Sequence, residues 1–120
     1  MDFQEQAHQH TQIREALAAA INERHPINLD ALRSDRLCPT GCWLHGEGAR
    51  RWAGHHAFLG LLETHRAFHQ QAASIADLIN RAKWSEAQKA LRTGSPFALS
   101  LADLNAALRR MRATATTLAA

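Results

Sequence analysis

From Arg51 to Arg81 the apolar residues recur at intervals of three and four. Phe58, Leu61, Leu62, Phe68, Ala72, Ile75 and Ile79 fall on one face of a helix, and His65 and His69 share that face. A periodic stretch of this length predicts the central helix of a bundle, whose stripe the remaining elements must cover. A first segment from about Asp2 to Arg24 repeats the pattern with Phe3, Ala7, His10, Ile13, Leu17 and Ile21, and Pro26 ends it by withholding an amide. A short helical turn is expected around Leu29 to Arg33. After Lys83 and Trp84, Ser85 with Gln88 three residues on predicts a capping box for a shorter helix closed by Gly94. A final helix is expected from about Leu101 to Leu118, with Ser100 as N-cap, Asp103 in the first turn and Arg109, Arg110 and Arg112 in its second half, as the helix dipole favours. Apolar content dominated by Ala and Leu, no Tyr and scattered β-branched residues argue against a sheet, so the fold class is all-α. At 120 residues the chain has room for one domain, 1–120. It carries no apolar leader and no stretch of roughly 18 apolar residues, and the expectation is a cytoplasmic protein without a membrane partner.

The main irregular segment is Ser34 to Gly48, SDRLCPTGCWLHGEG, which holds three of the six glycines. Pro39 suits the first position of a helical turn, which places Cys38 at the N-cap, and Gly46 or Gly48 could close that turn. Two cysteines four residues apart build no disulfide framework, so in a reducing compartment each is read as a metal ligand or a packed residue. Eight histidines are the unusual count, because imidazole titrates near neutral pH and is the commonest metal ligand. A net charge of +3, with basic residues spread along the chain, gives little ground for a nucleic-acid partner.

His65 and His69, four apart, stack on one helical face and can bracket an ion; the alternative is two core histidines donating to carbonyls. The residues between them are Arg66, Ala67 and Phe68, so the Glu of a metalloprotease helix is missing and zinc hydrolysis is not expected. His10 lies on the inner stripe of the first helix, whereas His8 aligns with Gln12 and Glu15 on the polar side. His56 points outward; His55 shares the inner stripe but lies ten residues, about 15 Å, from His65 and is read as packed or partly exposed. Cys38 is the natural fourth ligand, since a helix N-terminus favours the thiolate. Cys42 competes for that place, with a small buried hydrophobe as its other reading. Three imidazoles and one thiolate form a closed tetrahedral set suited to zinc, with no position for a catalytic water.

Three blocks in order, His10-Thr-Gln-Ile13, Cys38-Pro-Thr-Gly-Cys-Trp43 followed by Leu44-His-Gly-Glu-Gly48, and His65-Arg-Ala-Phe-His69, resemble the chemoreceptor zinc-binding (CZB) domain family. Its pattern is a His shortly before an aromatic residue, a Cys-x-Leu-Gly-x-Trp core and a closing His-x-x-x-His. The resemblance spans about Gln6 to Ala72 and carries the family's zinc ligands onto His10, Cys38, His65 and His69. Ile13 stands where the family usually has an aromatic residue, Thr40 where it usually has Leu, and Cys42 is extra. Trp43 matches the family's aromatic residue and is read as a core anchor. The resemblance implies four main antiparallel helices with short additional turns, often a homodimer, and a sensory module without enzymatic activity. Its zinc occupancy or cysteine oxidation would control an attached or separate signalling protein of the diguanylate cyclase or chemoreceptor type. A second reading is a structural or protein-interaction bundle with core histidines and no regulatory metal.

Overall fold

In the computed structural model, which describes residues 1–119, every regular element is a helix: α1 (Phe3–Glu23), α2 (Leu29–Arg33), α3 (Pro39–Leu44), α4 (Glu47–Trp52), α5 (His56–Asn80), α6 (Trp84–Ala90) and α7 (Pro96–Ala119). The chain is all-α, as its composition requires. Among the described residues the long helices are α1, α5 and α7, of 21, 25 and 24 residues. The other four have five to seven residues each. No described helix is long and apolar enough to cross a membrane.

The core forms where the stripe of α5 meets α7 and α1. Leu61, Phe68, Ala72, Ile75 and Ile79 of α5 pack with Leu17, Ala20 and Ile21 of α1 and with Phe97, Leu104, Leu108 and Met111 of α7, all buried. Burying each Leu, Ile, Phe or Met side chain among them stabilises by roughly 1.5–3 kcal/mol, which makes the α5 face a main source of cohesion.

The ends of the elements follow local chemistry. Asp2 caps α1 by accepting from the Glu5 amide at 3.0 Å. Arg24, at φ 53, ends the helix in the left-handed region, ahead of Pro26. Asn28 caps α2 through the Ala31 amide. Asn80, at the far end of α5, then clasps the linker: its carbonyl accepts from the Ile27 amide and its amide donates to the Ile27 carbonyl, both at 2.9 Å. That pair holds α2 against α5.

Several boundaries differ from the sequence expectation. The central helix begins at His56 and not at Arg51, because residues 47–52 form a separate helix and the chain turns at Ala53–His55. Gly48 therefore lies inside α4, where its bare backbone meets the Trp43 ring; a Cβ there would sit 2.7 Å from an indole carbon. The capping box at Ser85 does not form: Lys83 is the N-cap of α6 and makes no side-chain capping bond. α6 ends at Ala90, and Gly94, at φ 83, occupies the following turn. α7 starts at Pro96, five residues before Leu101, with the Ser95 hydroxyl accepting from the Ala98 amide at 3.2 Å. Pro at the first helical turn is compatible with that start, since its missing N–H would have no helical partner there. Ser100 is consequently buried within the helix, and its hydroxyl donates to the Phe97 carbonyl at 2.8 Å.

Candidate metal centre

α5 places His65 and His69 one turn apart on its buried face, their ring centroids 4.5 Å from each other. α1 brings His10 in from the side, 1% exposed, with its ring edge-on to both. Cys38 arrives from the loop as the N-cap of α3, with Pro39 starting that helix. One ligand atom from each of these four residues lies within 4.8 Å of every other. The Cys38 Sγ stands 3.2 Å from His65 Nε2, 3.7 Å from His10 Nε2 and 3.8 Å from His69 Nε2, while the Nε2 atoms of His65 and His69 are 3.1 Å apart.

These lengths can be set against an ion. A tetrahedral zinc with Zn–N near 2.0–2.1 Å and Zn–S near 2.3 Å requires edges of about 3.3 Å between nitrogens and about 3.6 Å between sulfur and nitrogen. The four distances just given scatter around those edges by a few tenths of an ångström, and the remaining pairs lie within 4.8 Å. The donor set fits as well, being three imidazoles and one sulfur with no carboxylate.

Backbone carbonyls orient two of the rings. His10 Nδ1 lies 2.7 Å from the Gln6 carbonyl, and His69 Nδ1 lies 2.9 Å from the Leu32 carbonyl. A carbonyl can only accept, so each Nδ1 carries the proton and each Nε2 turns its lone pair toward the cluster. The buried Nδ1 of His65 has no partner among the described residues, so no carbonyl sets its tautomer.

Burial also decides the charge state. Desolvation lowers His10 to about 4, outweighing the opposing effect of the Gln6 carbonyl. Desolvation, reinforced by the neighbouring histidines, lowers His65 to about 2. His69 is lowered for the same main reason. Near neutral pH the three rings are uncharged, the form that binds metal. For Cys38 the expected helix-terminus effect does not win. Burial raises its thiol, while the Gly41 and Thr40 amides pull the other way and do not overcome it. A metal arriving here must therefore displace the thiol proton.

The other candidates lie apart from this cluster. Cys42 is exposed, and its Sγ–H donates to the Arg36 carbonyl at 3.4 Å, so it is neither a ligand of the group nor the buried hydrophobe expected. His8 is exposed and pairs with Gln12; His56 is exposed. His55 is the half-buried N-cap residue of α5, its ring edge-on to Trp52. Trp43 packs edge-on against Phe3 at 5.4 Å and near Phe58 at 6.1 Å, anchoring α3 to the core.

Three contributors were missed in the sequence. Gln6 precedes His10 by four residues, and that interval could have pointed to its carbonyl. Thr40, whose hydroxyl meets the Gln6 side chain, stood out only as an unusual residue in its motif. The Leu32 carbonyl had no signal at all, because any residue type supplies the same atom.

Residues 10–76 match the protein family described as the chemoreceptor zinc-binding domain, a span that includes all four clustered residues. No curated protein and no solved structure matches the chain.

Proposed function

Because this chain belongs to the chemoreceptor zinc-binding domain family, we propose that it is a zinc-binding sensory module in which His10, Cys38, His65 and His69 hold one ion. The observation that carries the reading is the convergence of three imidazoles and one sulfur, with ligand atoms all within 4.8 Å of one another and four of the six separations near tetrahedral edge lengths. Bound there, zinc would join α1, α5 and the N-terminus of α3, and through the Leu32 carbonyl on His69 it would also bear on α2. With four protein ligands the site is closed to a catalytic water, and the role is regulatory and not enzymatic. Loss of zinc, or oxidation of Cys38 so that the thiolate no longer binds, would release the loop and the start of α1.

The output passes to a signalling protein or domain, of the diguanylate cyclase or chemoreceptor type that the family resemblance implies. We place the module in the cytoplasm, acting as a homodimer, with neither nucleic acid nor membrane as a partner. One observation favours the second reading, a bundle with core histidines: His10 and His69 each satisfy Nδ1 on a carbonyl, as a purely structural histidine does. That reading leaves unexplained why four donor atoms crowd one point.

Metal analysis of protein purified without an affinity tag decides between them. The zinc reading requires close to one zinc per chain, lost in His65→Ala and retained in His8→Ala and His56→Ala. Equal zinc content in all three variants would sink the assignment, and a metal-free wild type that cannot be loaded would support the structural bundle.

A further inference from the structure

We infer that the Gln6–Thr40 hydrogen bond is a positioning device of the metal centre, setting the approach of His10 to Cys38. The inference rests on the zinc reading above and concerns how this particular chain builds that site. The Thr40 hydroxyl donates to Gln6 Oε1 at 2.7 Å, with Gln6 6% exposed and Thr40 fully buried at 0%. Each residue adjoins a ligand through the backbone. The Gln6 carbonyl accepts from His10 Nδ1 at 2.7 Å, and Thr40 follows Cys38 by two residues and directly precedes Gly41, whose amide donates to the Cys38 Sγ at 3.4 Å. A single residue of α1 therefore grips one ligand by its main chain and the turn carrying another by its side chain.

The geometry makes this link matter. His65 and His69 share one rigid helix, so their spacing needs no further support. His10 and Cys38 lie on α1 and α3, which pack mainly on other elements and little on each other. Besides the 3.7 Å approach of the Cys38 Sγ to His10 Nε2, the Phe3–Trp43 ring pair and the Gln6–Thr40 bond join them. A ring pair tolerates sliding, whereas a buried 2.7 Å hydrogen bond fixes distance and direction. Thr40 also stands where the resembled pattern has Leu. A hydroxyl at a fully buried position is unfavourable without a partner, and Gln6 supplies one.

The test uses the full chain and zinc itself, with affinity read by competition against a chromogenic chelator. Thr40→Val keeps the shape and removes the donor; Gln6→Met keeps the helix and removes the acceptor. Each should weaken zinc binding roughly 10- to 100-fold, the range for losing an outer-shell partner, while helical content by circular dichroism stays unchanged. Thr40→Ser keeps the hydroxyl and should recover most of the affinity. Cobalt loaded in place of zinc gives a second readout: its thiolate charge-transfer band should weaken or shift in Thr40→Val and return in Thr40→Ser. If Thr40→Val does not fold, Gln6→Met carries the same reading. Lowered melting temperatures with zinc affinity within about threefold of wild type would reduce the bond to a structural role and overturn the inference. Failure of the wild type to bind zinc would instead overturn the reading on which it rests.

Discussion

Gly41 tests the geometry of the cysteine turn without replacing a ligand: its amide donates to the Cys38 Sγ at 3.4 Å, and that amide is kept in the alanine variant. It is the third residue of α3, three after Cys38, and a Cβ built on it would sit 2.1 Å from the Asp35 carbonyl oxygen and 2.8 Å from the Arg36 Cα. Both obstacles are backbone atoms, so no rotamer change can relieve the clash. An ordinary carbon–oxygen contact is longer by about 1 Å, and Gly41→Ala must therefore push α3 and residues 35–36 apart by roughly that distance. The strain costs about 1–3 kcal/mol, as overpacking does elsewhere. Metal sites tolerate about 0.2 Å in their bond lengths, so the same shift should also pull the Cys38 sulfur off the ion and weaken zinc binding by roughly tenfold or more. Gly60 supplies the control. It lies within α5 with nothing inside 4 Å of its virtual Cβ, so Gly60→Ala should leave zinc affinity alone and stabilise the fold by up to about 1 kcal/mol through helix propensity. Urea unfolding, with zinc and with chelator, measures both variants. The reasoning is refuted if Gly41→Ala matches the wild type in midpoint and in zinc affinity, because the turn could not then hold the close approach described here.

Acid should destabilise the zinc-free protein. His10 titrates at 6.5 when unfolded and at about 4 when folded, so its contribution is complete above about pH 6.5 and is lost as pH falls toward 4. Between about pH 7 and pH 5 this residue alone should remove about 2 kcal/mol, with His65 and His69 acting in the same direction, and flat urea midpoints over that range would contradict it. Zinc must displace the Cys38 thiol proton, which burial holds more tightly, so its affinity should also fall as pH drops through this window even while the buried rings stay uncharged, as a competition titration at several pH values would show. Chelation at neutral pH should leave the apolar core standing but increase hydrogen exchange in residues 34–48 and at the start of α1, where His10 and Cys38 themselves take part in the local hydrogen bonds to Gln6 and Gly41. Equal exchange of the cysteine loop in both states would remove the physical basis of the sensing proposal. Light scattering at tens of micromolar should give the mass of a dimer, and a monomer would exclude the assembly proposed above.

The helical class and the inward turn of the three clustered histidines were legible because both rest on periodicity. A stripe with a spacing of three to four residues turns His10, His65 and His69 inward along with Leu17, Leu61 and Phe68, whatever packs against them. Pro39 likewise determines locally that Cys38 is an N-cap, and the structure has it so. Where signals competed, tertiary packing decided. Arg51 and Trp52 continue the apparent period of α5, yet the chain breaks after Trp52 because that indole is buried in the core as part of its own short helix. Ser85 and Ser100 both look like caps, but α6 starts one residue before Ser85 and the turn after Gly94 lets Ser95 and Pro96 open α7 early. The charge of Cys38 was also beyond local reading: a helix N-terminus favours the thiolate, while burial, which exists only once α1 and α5 have closed over the loop, raises its pKa. The Leu32 carbonyl on His69 and the Asn80 clasp on Ile27 join residues 37 and 53 positions apart in sequence. Residue identity thus specified which side chains could bind zinc, because ligand chemistry and helical period are local. Only the folded chain determined their distances, their tautomers and their protonation, because those depend on atoms contributed by other elements.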